Sequence, residues 1–216
     1  MNYELARHHM IQQQLRPCEV LDSSVVEVLY ANHREHFVPA AYRALAFADI
    51  AIPLQEGAAM FSPKLEARIL QSLALKPTDR VLEIGAGSGH MAALLAARSQ
   101  EVWSVEINLV LAEQARRNLA QAGVQNVHVE MGDGLVGLAA HAPFDVIVVS
   151  GGVTEIPAML KEQLADGGRL LAIVGAAPVM SLLRLTRTGP DTLITDDLME
   201  TSVAMLQQAA QAKFTF

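Results

Sequence analysis

The residues best placed for chemistry in this chain are three glycines and two carboxylates. Gly85, Gly87 and Gly89 lie in "VLEIGAGSGH", where an apolar run enters a turn that opens a helix. Glycine tolerates positive φ and lets a ligand approach the backbone where a Cβ would stand in the way. A helix start behind such a turn offers unpaired N–H groups and positive potential. Glu106 ends the next β-branched run, 21 residues beyond Gly85. A carboxylate there can accept hydrogen bonds from both hydroxyls of a ribose. Asp133 stands in "MGDG" after a third such run, where it can accept from an adenine amino group while Gly134 lets the backbone near the ring. Glu83 and Ala86 around the turn, and Ile107 after Glu106, complete the candidate binding set. The turn is spaced G-x-G-x-G. The dinucleotide fingerprint G-x-G-x-x-G needs glycine at position 90, which is His90. A nucleotide-bearing ligand other than a dinucleotide fits this pattern; a ligand-free glycine turn is the plainer alternative.

Upstream, "PLQEGAAMFSPKLEAR" (residues 53–68) offers one hydroxyl, Ser62, beside Ala58, Ala59, Met60 and Phe61. Ser62 precedes Pro63 and the helical spacing of Leu65, Ile69 and Leu73, as an N-cap with proline at N1 would. A capping hydroxyl has one more hydrogen bond to give or take, so Ser62 is also the candidate catalytic group. No metal site is expected. His8 and His9 are adjacent and on a helix point about 100° apart, and no Cys/His/carboxylate set stands at ligand spacing. His90, His128 and His141 are candidate bases by residue type alone. Cys18 is the one cysteine, so no internal disulfide forms and a reducing, cytoplasmic setting is expected.

These groups need a scaffold. "RVLEI", "EVWSVE", "NVHVEM", "FDVIVVS" and "RLLAIVG" read as five strands. "HMAALLAARS", "LVLAEQARRNLAQAG" and "PAMLKEQLADGG" read as the helices between them. Such alternation gives a mostly parallel, doubly wound α/β sheet with ligands at the carboxyl ends of its strands. The residues before Gly57 read as helices, with "ELARHHMIQQQL" ended by Pro17 and a capping-box spacing of Ser24 and Glu27. "MSLLRLTRTGPDTLITDDLMET" reads as two strands about Gly189-Pro190-Asp191, an antiparallel sheet edge, and "KFTF" as a further short strand. The expected organisation is one domain over 1–216: an N-terminal helical segment and loop (1–79), a binding core (80–175) and C-terminal strands (176–216).

The totals agree with a globular chain. Of 216 residues, 51% are hydrophobic and 18% charged, and the formal net charge of -7 argues against a nucleic-acid partner. No apolar run approaches the roughly 20 residues that span a bilayer, and the N-terminus lacks a basic-then-apolar leader pattern.

The motifs resemble those of a known family. "VLEIGAGSG", the acid in "VEI" and "GDG" are similar to the cofactor motifs of S-adenosylmethionine-dependent methyltransferases. "QQQLRP", "REHFVPAAYRALAFADIAIPL", "PFDVIVVSGG", "IPAMLKEQL" and "GGRLLAIVG" resemble protein-L-isoaspartate O-methyltransferases, in order from about Met10 to Gly175. The resemblance implies a Rossmann-like methyltransferase fold and methyl transfer from S-adenosylmethionine to isoaspartyl carboxylates in damaged proteins, with S-adenosylhomocysteine as product. By position, Gly85, Gly87 and Gly89 would hold the methionine part and the turn, Glu106 the ribose, and Asp133 and Gly134 the adenine. The family usually carries G-x-T-I-S-x-P before the core, with the serine in the active site. Here the ungapped alignment puts Ala59 at the threonine and Phe61 at the serine, with Gly57 and Pro63 matching. This departure leaves two alternatives open: a methyltransferase of the same fold with a more apolar acceptor, and a non-catalytic S-adenosylmethionine-binding protein.

Overall fold

The structure is a computed structural model that describes residues 2–208; "KFTF" lies outside them. Helix α1 (Tyr3–His9) runs on as a π-helical stretch (Met10–Leu15) and stops in a short turn holding Pro17. Its Met10, Ile11 and Leu15 are buried, as the apolar spacing requires. Helix α2 (Ser23–Ala31) is capped by Asp22, whose carboxylate accepts from the Ser24 amide at 2.8 Å. The cap thus sits two residues before the Ser24 of the expected box, because Asp22 reaches the amides of the first turn. The N-terminal part is not wholly helical. Strands β1 (Ile52–Pro53) and β2 (Ala59–Met60) form a small antiparallel hairpin. Its turn holds Glu56 and Gly57 at positive φ. Helix α3 (Pro63–Leu73) follows, with Ser62 as its N-cap.

From there the expected alternation is observed. Strands β3 (Arg80–Ile84), β4 (Glu101–Glu106), β5 (Val127–Met131), β6 (Phe144–Val153) and β7 (Leu164–Ala176) are parallel. Strands β8 (Val179–Gly189) and β9 (Thr192–Thr201) are antiparallel. The sheet order is β5-β4-β3-β6-β7-β8-β9. Helices α4 (His90–Ala96) and α5 (Leu109–Gln121) link β3 to β4 and β4 to β5. Val81, Leu82 and Ile84 of β3, and Val146 to Val149 of β6, are almost fully buried, since both faces of these central strands are covered.

One element differs from expectation. "PAMLKEQLADGG" is helical only over α6 (Ala158–Glu162). The Gln163 carbonyl accepts from the Phe144 amide at 2.9 Å, and Leu164 pairs with Phe144, which draws the chain into the sheet one turn early.

Candidate cofactor site and acceptor loop

The chain leaves β3 toward β4 and β5 on one side of the sheet, and β6 lies on the other. A crevice opens where the order reverses, the usual ligand position in open α/β sheets. A cavity of about 210 Å³ occupies it, lined by Gly85, Gly87, Glu106, Ile107, Asp133 and Gly134. Sequence positions 85 to 134 are thus brought to one wall.

The glycine turn is held in the left-handed region, with φ of 92° at Gly85, 51° at Gly87 and 82° at Gly89. Any side chain is strained at such angles. The Gly87 amide donates to one Glu106 oxygen at 2.9 Å, and the Asn108 amide donates to the other at 3.0 Å. Two backbone donors therefore aim a nearly buried carboxylate, and each oxygen keeps a lone pair for a donor in the cavity. Asp133 accepts from the Leu135 amide at 3.0 Å and so shapes the turn at the end of β5.

Three of the expected binding residues stand away from the wall. Glu83 is fully buried in β3, between the hydroxyls of Ser104 at 2.5 Å and Ser150 at 2.9 Å. Burial pushes its carboxyl up to about 8, against those two hydrogen bonds, and Glu106 and Glu66 add repulsion. Gly89 faces α5: an added Cβ would lie 3.2 Å from the Ala115 carbonyl and the Leu119 side chain. Ala86 is buried inside the turn and does not line the cavity. The absent side chain at Gly134 answers to the fold as well, because a Cβ there would meet Ile84 at 2.5 Å.

The loop from Gly57 to Ser62 lines the same cavity. Ser62 accepts from the Leu65 amide at 3.5 Å, so its capping role coexists with its place in the wall. Nearby Asp49 is raised by burial but held below the usual carboxylate range by the Ser62 hydroxyl and by Lys64. The Phe61 ring is buried and packs with the core. The Phe61 carbonyl accepts from Arg34 at 2.7 Å, while Arg34 also pairs with Glu66. Glu66 in turn meets His90 Nδ1 at 3.0 Å. Burial pushes Glu66 up, yet Arg34 and His90 outweigh it and hold the carboxyl below its ordinary value.

Two parts of the site escaped sequence reasoning. Ser150, at the carboxyl end of β6, lines the cavity beside Gly151. The segment Ser202–Gln207 crosses it as a strap. The Gly152 amide donates to Ala204 O and the Leu206 amide to Gly152 O, both at 2.8 Å, and Gln207 Nε2 donates to the Glu56 carbonyl at 2.7 Å. The Leu206 side chain lies where a Cβ on Gly85 or Gly151 would be, at 2.9 and 2.6 Å. The sequence signal beside them is the Gly151-Gly152 pair. Elsewhere His33, Glu35 and His36 bring potential ligand atoms within 4.8 Å of one another. The Arg7 guanidinium already contacts Glu35 at 2.6 Å and His33 at 2.8 Å, a cation held where a metal would need to be.

Strand order, glycine turn and aimed carboxylate are those of a Rossmann-like methyltransferase fold. The profile of the family Protein-L-isoaspartate(D-aspartate) O-methyltransferase (PCMT) matches residues 5–210. A protein-L-isoaspartate O-methyltransferase of Methylorubrum populi is 39% identical over 209 residues, covering 97% of this chain and 98% of the relative. One of Roseiflexus castenholzii is 42% identical over 200 residues, covering 93% and 91%. A solved protein-L-isoaspartate O-methyltransferase superposes with a TM-score of 0.80 at 27% identity, over 93% of this chain and 66% of that one. A Plasmodium falciparum structure in complex with S-adenosyl-L-homocysteine has the same fold, with a TM-score of 0.80 at 18% identity over 97% and 100%. This chain belongs to the protein-L-isoaspartate O-methyltransferase family.

The residues present fit S-adenosylmethionine. The aimed Glu106 carboxylate suits a ribose diol, and the apolar Ile84, Ile107 and Leu135 beside Asp133 suit a purine edged by an acceptor. Among the described residues, no helix is long and apolar enough to cross a membrane.

Proposed function

We propose that this chain methylates the carboxylate of isoaspartyl residues in proteins. The observation that carries the reading is the shared cavity. A carboxylate fixed by the glycine turn and the family's acceptor loop face one space. When bound, S-adenosylmethionine supplies a methyl group on a sulfonium sulfur, which a carboxylate oxygen displaces to leave a methyl ester and S-adenosylhomocysteine. In this reading the backbone of Gly85 and Gly87 borders the methionine part, Glu106 and Ile107 hold the ribose, and Asp133 and Gly134 border the adenine. Glu83 and Gly89 support the turn from behind.

The acceptor is ionised at neutral pH, with a reference pKa of about 4, so no general base is needed. The protein's task is orientation and exclusion of water. Ser62 is the loop hydroxyl available for orientation. One hydrogen bond to a charged acceptor contributes about 1.5–3 kcal/mol, or roughly ten- to a hundred-fold in rate. Losing one such hydroxyl slows the reaction on that scale, and losing both the usual threonine and serine multiplies the two factors. A cytoplasmic setting fits the single cysteine, and a protein rather than nucleic-acid partner fits the net charge of -7.

A second reading is favoured by one feature. Ala58, Ala59, Met60 and Phe61 all line the cavity, which suits a more apolar acceptor on the same fold. Transfer of labelled methyl from S-adenosylmethionine to an isoaspartyl peptide, with the aspartyl peptide as control, tests the first reading. Selective, base-labile labelling is expected. Cofactor binding by calorimetry without labelling would overturn it and leave the apolar acceptor or a binding-only role.

A further inference from the structure

We infer that Ser150 presents a hydroxyl hydrogen to the acceptor carboxylate, and that the buried Glu83 behind it sets whether that hydrogen is available. This rests on the isoaspartyl reading above and adds a residue to it. Ser150 is half-buried at the carboxyl end of β6 and lines the cavity, and its carbonyl lies 3.6 Å from the Cβ position of Gly85. Ser150 is a residue of the wall next to the glycine turn, its hydroxyl reaches Glu83 at 2.9 Å, and unlike Ser62 it has no capping duty.

The proton inventory is constrained. Glu83 Oε2 meets Ser104 Oγ at 2.5 Å and Oε1 meets Ser150 Oγ at 2.9 Å. Ser104 is fully buried, and Glu83 is its one side-chain partner among the described residues. Its hydroxyl hydrogen must therefore point at Oε2, since no other acceptor is in reach. When Glu83 is a neutral acid, its own hydrogen sits on Oε1 and donates to Ser150 Oγ. The Ser150 hydrogen then has no use inside the protein and turns to the cavity. When Glu83 is an anion, both serines donate to it, and Ser150 offers the cavity only a lone pair, which repels a carboxylate.

The charged groups acting on Glu83 are Glu106 at the end of β4 and Glu66 on α3, the latter paired with Arg34 and His90. β6 contributes only the Ser150 hydroxyl. The two acids favour neutral Glu83, and burial holds its carboxyl up to about 8. At neutral pH the donor is available; it is withdrawn as the pH rises through the titration of Glu83.

The test measures initial rates of S-adenosylhomocysteine formation with isoaspartyl peptide from pH 6 to 9, a readout indifferent to ester hydrolysis. Wild type should lose kcat/KM on the alkaline side. Ser150→Ala should lower kcat/KM for the peptide roughly ten-fold or more and flatten that limb, with S-adenosylhomocysteine affinity unchanged. Ser150→Thr should restore both. Glu83→Gln, whose amide donates at every pH, should remove the alkaline loss. An active wild type with an unaltered Ser150→Ala profile overturns this inference alone. A wild type that binds S-adenosylhomocysteine but turns over no isoaspartyl peptide overturns the isoaspartyl reading and this inference with it.

Discussion

At residue 61 a buried ring stands where the sequence resemblance, aligned without gaps, puts the family's active-site serine. The Phe61→Ser variant should therefore move two quantities in opposite directions. Isoaspartyl methylation should rise about ten-fold as an orienting hydroxyl returns. Stability in urea should fall by about 3 kcal/mol as a packed ring is lost. Glu106→Gln keeps the volume but weakens the acceptor proposed for the ribose, and S-adenosylhomocysteine affinity by calorimetry should drop about ten-fold. Glu106 and the glycine turn were legible in the sequence because their signals are local: a strand end, a turn, a helix start. Ser150 was not, since its meaning lies in a hydrogen bond to Glu83 across 67 residues of chain. Gly89 and Gly134 were legible as required glycines, but their reasons are Ala115 and Ile84, neighbours that only the folded chain supplies.

At the scale of elements, Arg34 ties two loops to α3. It donates to the Ala46 carbonyl at 2.9 Å and to the Phe61 carbonyl, and it neutralises Glu66 of α3, which holds His90 at the head of α4. The loop before α3 and the glycine turn before α4 thus share one buried charge network. Arg34→Met should cost about 3–5 kcal/mol in urea unfolding, because it strands the Glu66 carboxylate in the core. The strand–helix alternation and the antiparallel edge were read correctly because period and turn chemistry agree there. The β1–β2 hairpin was missed, since strands of two residues carry no alternation to detect. The early end of α6 was missed because pairing of Leu164 with Phe144 overrode a helical pattern.

For the molecule as a whole, buried carboxylates pull stability in two directions with pH. Glu83 is raised from 4.5 to about 8, so the stability linked to its proton is full below 4.5 and is lost as the pH rises through about 8. Glu66 and Glu35 are lowered: burial raises each, but Arg34 and His90 outweigh it for Glu66, as do a backbone amide and Arg7 for Glu35. Their contribution is present above 4.5 and lost as the pH falls through their folded values. Urea midpoints should be highest in mildly acidic solution and decline toward pH 8, and Glu83→Gln should abolish that decline. The strap adds something of another kind. Its two bonds to Gly152 make the amides of Gly152 and Leu206 a clock for the doorway of the site. In deuterated solvent, these amides should exchange far faster than those of β3, because the strap lifts without the sheet unfolding. S-adenosylhomocysteine should slow them selectively, so a label-uptake trace of this short segment would read ligand occupancy directly.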